Sequence, residues 1–278
     1  PNIFARTPVV EFLQSQKRNA RVELGDLTPN AGLVLRVPTV RGAGPLAIRH
    51  FAQAMDRPYF WRAWQLLNTG YFVSYVDKET AKPLFRDGNI GVYGPAYGIA
   101  PAYVAYRAQV VGDEEALGIL APQPPATSTF AYGRDALLAN PVAQEATGRG
   151  FTRRARLGSL DSTRIAVEVD TTAPGVLVVS EVFYPGWRAF VDGREVEIVR
   201  TNYLLRGVPV PTGAHHVQIV YDPTSVKAGA MVSILSLALA VTLVLRGGSR
   251  RRRALTWSGV IAVGALAAFA VWRALTPM

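Results

Sequence analysis

The chain has 278 residues, with 30 Lys and Arg against 20 Asp and Glu, three His and no Cys, for a formal net charge of +10. The absence of cysteine excludes a disulfide framework, thiol catalysis and thiolate metal sites. The basic excess does not point to nucleic acid: Lys227, Arg246, Arg250, Arg251, Arg252, Arg253 and Arg273 supply seven of the positive charges, leaving 23 basic and 20 acidic residues in 1–226 with no basic patch interleaved with aromatics.

In chain order, residues 1–100 read as mixed α and β. Thr7-Pro8 is a cap-and-start signal for a helix through Lys17, with Val9, Val10, Phe12 and Leu13 on its apolar side, and short strands are expected at 21–24 and 32–37. A second helix is expected from Pro58, with Trp61, Trp64 and Leu67 at helical spacing and Gly70 as its terminator, followed by a strand at 71–76. Gly91, Gly94, Pro95, Gly98 and Pro101 mark 91–101 as a loop leading into a strand at 103–111, and Pro122, Pro124 and Pro125 mark a further irregular connection.

From Phe151 turn signals recur every eight to twelve residues, an all-β rhythm. Strands are expected near 151–158, 163–170, 175–182, 187–191, 195–200, 203–209 and 214–221. Asp192-Gly193 is a type I′ hairpin signal, because both central residues of that turn need positive φ. Pro185-Gly186 suits the central positions of a type II turn, and Thr212-Gly213 makes another turn. Seven strands in one open sheet would expose long edges, so a jelly-roll-like sandwich is the expected closure.

After Asp222 there is no acidic residue, and two apolar spans follow, Ala228 to Leu245 and Ala254 to Trp272. At about 1.5 Å per residue each covers roughly 27 to 29 Å, near the ~30 Å hydrocarbon thickness of a bilayer. A transmembrane hairpin is therefore expected. Arg246 and Arg250, Arg251, Arg252 and Arg253 between the spans are the topology determinants: they place the loop on the cytoplasmic side and residues 1–226 outside. The chain opens at Pro1 without Met or a basic-plus-apolar leader, yet its bulk must cross a membrane. The expectation is either a removed signal peptide or, preferred, the last part of a polytopic membrane protein. The fold class read from these patterns is α+β: a mixed α/β extracytoplasmic region at 1–100, a β-sandwich at 101–226 and the two-helix hairpin at 227–278.

No P-loop, dinucleotide fingerprint, HExxH or GxSxG element occurs. His215 and His216 are adjacent, so a strand sends them to opposite faces, one core-facing or satisfied at the turn and the other toward solvent, with no metal spacing. No catalytic residue, metal ligand or cofactor is expected. Tyr184, Trp187, Trp61 and Trp64 are the candidate glycan contacts, since aromatic faces stack on sugars, although core packing is the favoured reading for the tryptophans. Asp192 is explained by its turn.

The stretch 180–225 carries Tyr184 to Trp187 (YPGW), Asp192-Gly193, Pro209 to Gly213 with His215, and Tyr221 with Pro223 before Lys227 and Gly229. In this it resembles the C-terminal end of the bacterial YfhO family of polytopic membrane proteins. Weaker echoes lie in Leu66-Leu67-Asn68 with Tyr71 and in Pro101 to Val104. The resemblance implies a membrane glycosyltransferase-like protein of the C superfamily in the bacterial cytoplasmic membrane, using a polyprenyl-phosphate sugar to decorate envelope glycopolymers such as teichoic acids. Its catalytic carboxylate would lie in an early external loop outside this sequence. Implied partners are membrane lipid, upstream transmembrane helices and the sugar donor or envelope glycan, without nucleic acid. The alternative is a non-enzymatic, membrane-anchored sugar-binding or scaffold module. Some ten upstream apolar spans with an acidic residue in the first external loop would favour the transferase, and a lone signal peptide the module.

Overall fold

A computed structural model describes residues 7–16, 20–24, 32, 36–41, 48–57, 60–76, 82–94, 100–142, 146 and 150–246. The chain divides into two compact units, residues 1–184 with 188–220, and residues 185–187 with 221–278. The architecture is α+β, with three sheets and few helices.

In the larger unit α1 spans Pro8–Ser15. The backbone N–H of Val10 donates to Thr7 Oγ1 at 3.4 Å, the capping bond that Thr7-Pro8 foretells. The helix stops short of Lys17 because Ser15 Oγ and Gln16 Nε2 both donate to the Phe12 carbonyl, at 2.7 and 3.1 Å, and take over an acceptor that a further turn would use. Its apolar side, Val9, Val10 and Leu13, packs with Val22, Tyr71, Val73 and Val92. These come from a four-stranded sheet of order β1-β2-β4-β3: β1 Arg21–Glu23, β2 Thr69–Tyr75, β3 Phe85–Asp87 and β4 Ile90–Tyr93. β1 lies parallel to β2 and the other pairs are antiparallel.

Several local expectations shift here. The strand expected at 32–37 lies largely outside the described residues, and the sheet contact in this region is an isolated bridge from Thr39 to Val22. The helix expected from Pro58 is a 3-10 helix, Phe60–Leu67, and Pro58 itself lies outside the described residues. In that tighter winding side chains three apart nearly eclipse, which suits the Trp64 and Leu67 spacing. Gly70 does not terminate it. Asn68 does, in the left-handed region at φ 53°, while Gly70 sits inside β2 because a Cβ there would lie 2.5 Å from that of Ala20. Gly91, read as loop, is within β4.

The six-stranded sheet runs β5-β10-β14-β13-β7-β6. Its strands are β5 Ala102–Ala105, β6 Arg107–Val110, β7 Asp135–Leu138, β10 Gly175–Val182, β13 Val199–Thr201 and β14 Leu205–Val210. The single strand expected at 103–111 is thus two strands broken at Tyr106, and they occupy opposite edges of one sheet. Consecutive Cα atoms are about 3.8 Å apart, so the two edges approach within about 8 Å at Tyr106 and the sheet must curl. One face of β10 (Val176, Val178) and Leu205 of β14 join a core with Phe60, Leu66, Ala54 of α2 (Arg49–Met55) and Leu117 and Leu120 of α3 (Asp113–Leu120). Leu177, Val179, Val208 and Val210 on the opposite face are also buried, at 0 to 1% exposure. Burial on both faces is why β10 reads as an unbroken apolar run rather than an alternating one. Helix α3 begins at Gly112 with Asp113, Glu114 and Glu115 in its first turn, a start signal present in the sequence.

The five-stranded sheet has order β12-β11-β15-β9-β8: β8 Thr152–Leu160, β9 Arg164–Thr171, β11 Trp187–Val191, β12 Arg194–Val196 and β15 Gly213–Tyr221. Along β9, Ile165, Val167, Val169 and Thr171 are buried and alternate with more exposed residues, the period-2 pattern of a sheet with one covered face. Every strand expected after Phe151 is present. The one expected at 195–200 is divided into β12 and β13, which lie in different sheets. Asp192 and Gly193 carry φ of 50° and 80°, as a type I′ turn between β11 and β12 requires.

In the smaller unit Thr224–Arg246 forms one helix, α4, of 23 residues. Its window Thr224–Thr242 has mean hydropathy 1.7 and no residue of it is buried, so it is long and apolar enough to cross a membrane. The second expected span, together with Arg250, Arg251, Arg252 and Arg253, lies outside the described residues.

Candidate functional site

Of the aromatic residues singled out from sequence, Trp64 and Tyr184 belong to the larger unit and Trp187 to the smaller one. Trp64 is half-buried, stacks on Phe72 with ring centroids 4.9 Å apart, and lies under the Arg41 guanidinium at 5.9 Å, an arrangement of packing and cation–π contact. Trp61 has its backbone in the 3-10 helix, and its side chain lies outside the described residues. Tyr184 is 46% exposed in the larger unit. Trp187 belongs to the smaller unit and packs beside Tyr221, centroids 5.3 Å apart at 49°.

Asp192 and His215 form a pair that the sequence separates by 23 residues. His215 Nδ1 lies 2.6 Å from Asp192 Oδ2 and its Nε2 lies 3.1 Å from the Thr212 carbonyl, while the backbone N–H of His216 donates to Asp192 Oδ1 at 2.9 Å. Both partners of the His215 ring, the Asp192 carboxylate and the Thr212 carbonyl, are hydrogen-bond acceptors. The hydrogen bond from His215, then that from the His216 backbone, hold the Asp192 carboxyl below the usual carboxylate range. The pair therefore ties the β11–β12 hairpin to β15. It also borders a groove of about 680 Å³ with Val142, Val191, Val196, Pro209 and Pro211 as apolar wall and Arg194 and Glu197 at the side.

The linkage has a definite sign. A carboxyl whose folded pKa is depressed stabilises above its unfolded value, near 3.9, and loses that contribution as pH falls through the folded value. The stability difference between the parent and Asp192→Asn should thus shrink as pH is lowered from 5 toward 2.5, read from urea midpoints of both chains in detergent. A difference independent of pH would show that the pair does not anchor the hairpin.

A second cleft, of about 340 Å³ in the larger unit, is lined by Arg21, Asn68, Pro101, Ser159, Ser180 and Glu181 among others. Arg21 crosses from β1 to the end of β10. Its Nη1 donates to the Leu67 carbonyl at 2.9 Å and to the Ser180 carbonyl at 2.6 Å, and its Nη2 pairs with the Glu181 carboxylate. Arg206 shares its sheet face with Val179 and is 5% exposed. Burial lowers its guanidinium to about 10; the Glu181 carboxylate opposes that shift and Arg21 adds to it. The cleft holds the Arg21 guanidinium and the Glu181 carboxylate beside the Asn68 amide and two serines, and the buried Arg206 feels the charge of both. Planar groups of this kind hydrogen-bond pairs of neighbouring hydroxyls or an acidic group on a ligand. Among the described residues no cluster of three His, Cys, Asp or Glu could hold a metal ion.

None of these cleft residues is legible as a site from spacing, since Arg21 and Glu181 are 160 positions apart. One signal was present. Arg206 falls between Leu204-Leu205 and Val208 in an otherwise apolar strand, where a charge needs a buried partner.

Residues 144–233 match the family model described as bacterial membrane protein YfhO. The uncharacterized protein YfhO of Bacillus subtilis (strain 168) is 31% identical over 61 residues, which is 22% of this chain and 7% of that protein. The cryo-EM structure of the arabinofuranosyltransferase AftD from Mycobacteria aligns with 43% of this chain and 13% of its own, at 18% identity and TM-score 0.23. This chain therefore spans a small part of the length of either protein.

Proposed function

We propose, from the match of residues 144–233 to the bacterial membrane protein YfhO model, that residues 1–226 are an extracytoplasmic accessory domain of a lipid-phosphate-sugar-dependent, glycosyltransferase-like membrane protein. In this reading the Arg21–Glu181 cleft receives part of a polar envelope glycopolymer, and α4 with the following apolar span anchors the domain in the cytoplasmic membrane. The donor sugar is carried on a polyprenyl phosphate, and transfer is performed by a carboxylate supplied elsewhere in the full-length protein. The observation that carries the glycan part of this reading is the cleft itself, a concave site with convergent guanidinium, carboxylate, amide and hydroxyl groups. The family match runs ten residues into α4, which supports treating the β-rich domain and the membrane helix as one inherited piece.

The test is binding of teichoic-acid fragments to the full chain in phospholipid nanodiscs by calorimetry. Ser159→Trp fills the cleft from a half-exposed position without touching the Arg21 network, and should weaken binding at least tenfold while leaving the melting temperature unchanged. Binding that Ser159→Trp leaves unaltered would place the glycan elsewhere. Absence of binding to any envelope polymer would remove the glycan role.

A further inference from the structure

The smaller unit brings together residues that are 34 positions apart in sequence. Gly186 adopts φ +97°, and a Cβ there would lie 2.9 Å from Cβ of Pro223 and 3.1 Å from Cε2 of Tyr221, so only glycine fits. The Gly186 carbonyl accepts the backbone N–H of Asp222 at 2.7 Å. The Trp187 ring consequently rests beside the Tyr221 ring at 5.3 Å. Both are half-buried amphipathic aromatics, and Tyr221 precedes the first residue of α4, Thr224, by three positions.

The dimensions locate this pair. The 19-residue apolar window Thr224–Thr242 spans about 28 Å at 1.5 Å per residue, close to the ~30 Å hydrocarbon layer. Three residues reach at most about 10 Å beyond the start of the helix, which puts Tyr221 at the level of the headgroups or at their outer edge. Lys227 agrees with that depth. It lies in the first turn of α4, yet its Nζ is carried back to Asp222 Oδ1 at 2.7 Å, the snorkelling expected of a lysine at a membrane boundary. Deeper in the helix Thr242 donates its hydroxyl to the Ala238 carbonyl at 2.7 Å and so presents no unpaired donor to lipid.

We propose that Trp187 and Tyr221, held by the Pro185-Gly186 turn and flanked by Lys227, form an interfacial collar whose partner is the phospholipid headgroup and carbonyl layer of the leaflet that α4 enters. Indole and phenol rings favour that layer because one edge is apolar and the other finds hydrogen-bond partners in the headgroups. Trp187 is then a lipid contact rather than a sugar platform, and the collar sets how deeply α4 is seated. The inference rests on the reading of α4 as a membrane span.

The experiment uses the full chain in phosphatidylcholine–phosphatidylglycerol nanodiscs, labelled with 5-fluorotryptophan. The Trp187 resonance is assigned independently with Trp187→Phe and Trp187→Tyr, and Leu235→Trp adds a reporter in mid-helix. Nitroxide lipids labelled at the headgroup or at acyl carbon 5 should broaden the Trp187 signal several-fold, while lipid labelled at carbon 16 broadens chiefly the Leu235→Trp signal. If Leu235→Trp responds to the carbon-16 label but Trp187 responds only to a water-soluble nitroxide, the collar is refuted and the membrane span stands. If neither responds to any lipid-borne label, the membrane reading of α4 fails and the collar with it. Protection of Trp187 from nitroxide by added teichoic-acid fragment, without broadening by lipid, would make it a glycan contact and overturn the proposal.

Discussion

Replacing Asn202 with Ala should destabilise the larger unit by about 2 to 4 kcal/mol. Asn202 is fully buried between β13 and β14 at φ 49°, a conformation that asparagine tolerates better than alanine. Its Oδ1 accepts the backbone N–H of Leu137 at 2.8 Å, and its Nδ2 donates to the Tyr103 hydroxyl at 2.8 Å, which itself donates to the Asp135 carbonyl at 3.1 Å. Truncation leaves the buried Leu137 N–H without its acceptor, worth about 1 to 3 kcal/mol, and adds roughly 1 kcal/mol of left-handed strain. Burial already pushes the Tyr103 hydroxyl far above its ordinary pKa, so it has no charged form to fall back on. Urea unfolding of the full chain in detergent, followed by near-ultraviolet dichroism, measures the change. Asn202→Gly should recover the strain part alone. A loss under 1 kcal/mol for Asn202→Ala would mean that the curled sheet does not depend on this bridge.

Glu181→Ala should cost about 3 kcal/mol and exceed the cost of Arg21→Met. The Glu181 carboxylate pairs with Arg21 and also attracts the buried Arg206, so its removal leaves two guanidinium groups that repel each other without a counter-charge. Arg21→Met instead leaves Glu181 with Arg206. The side chains of Arg21 and Glu181 are 20% and 24% exposed, which places the expected loss at the low end of the range for a broken buried pair. Combining Glu181→Ala with Arg206→Met should recover only part of the loss, because the mutual repulsion disappears while Arg21 still lacks its carboxylate. Melting curves of the three variants decide it, and equal losses for Glu181→Ala and Arg21→Met would reduce the cluster to a simple pair.

The β half was largely legible because turns are local. Asp192-Gly193, Pro185-Gly186 and Thr212-Gly213 each need positive φ at glycine, and Gly193, Gly186 and Gly213 have it, at 80°, 97° and 119°. The strands between them kept their expected positions for the same reason. The candidate cleft was not legible: neither Arg21 nor Glu181 sits in a motif, and each becomes part of a site only through its partner. In the first hundred residues the signal was weaker. Gly70 and Asn68 lie two apart and either could have ended the helix, until the approach of Ala20 required glycine in the strand.

By itself, then, the amino-acid sequence determined what short-range chemistry controls: the turn-bounded strands after Phe151, the Thr7-Pro8 helix start, and the acid-free apolar span from Ala228. Only the tertiary structure decided that Ala102–Ala105 and Arg107–Val110 stand at opposite edges of one curled sheet, that Arg21 meets Glu181, and that Trp187 rests beside Tyr221 at the foot of α4. Local propensity is settled by a residue and its near neighbours. Strand order and long-range ion pairs depend instead on which buried faces can be covered together, and no window of sequence contains both partners.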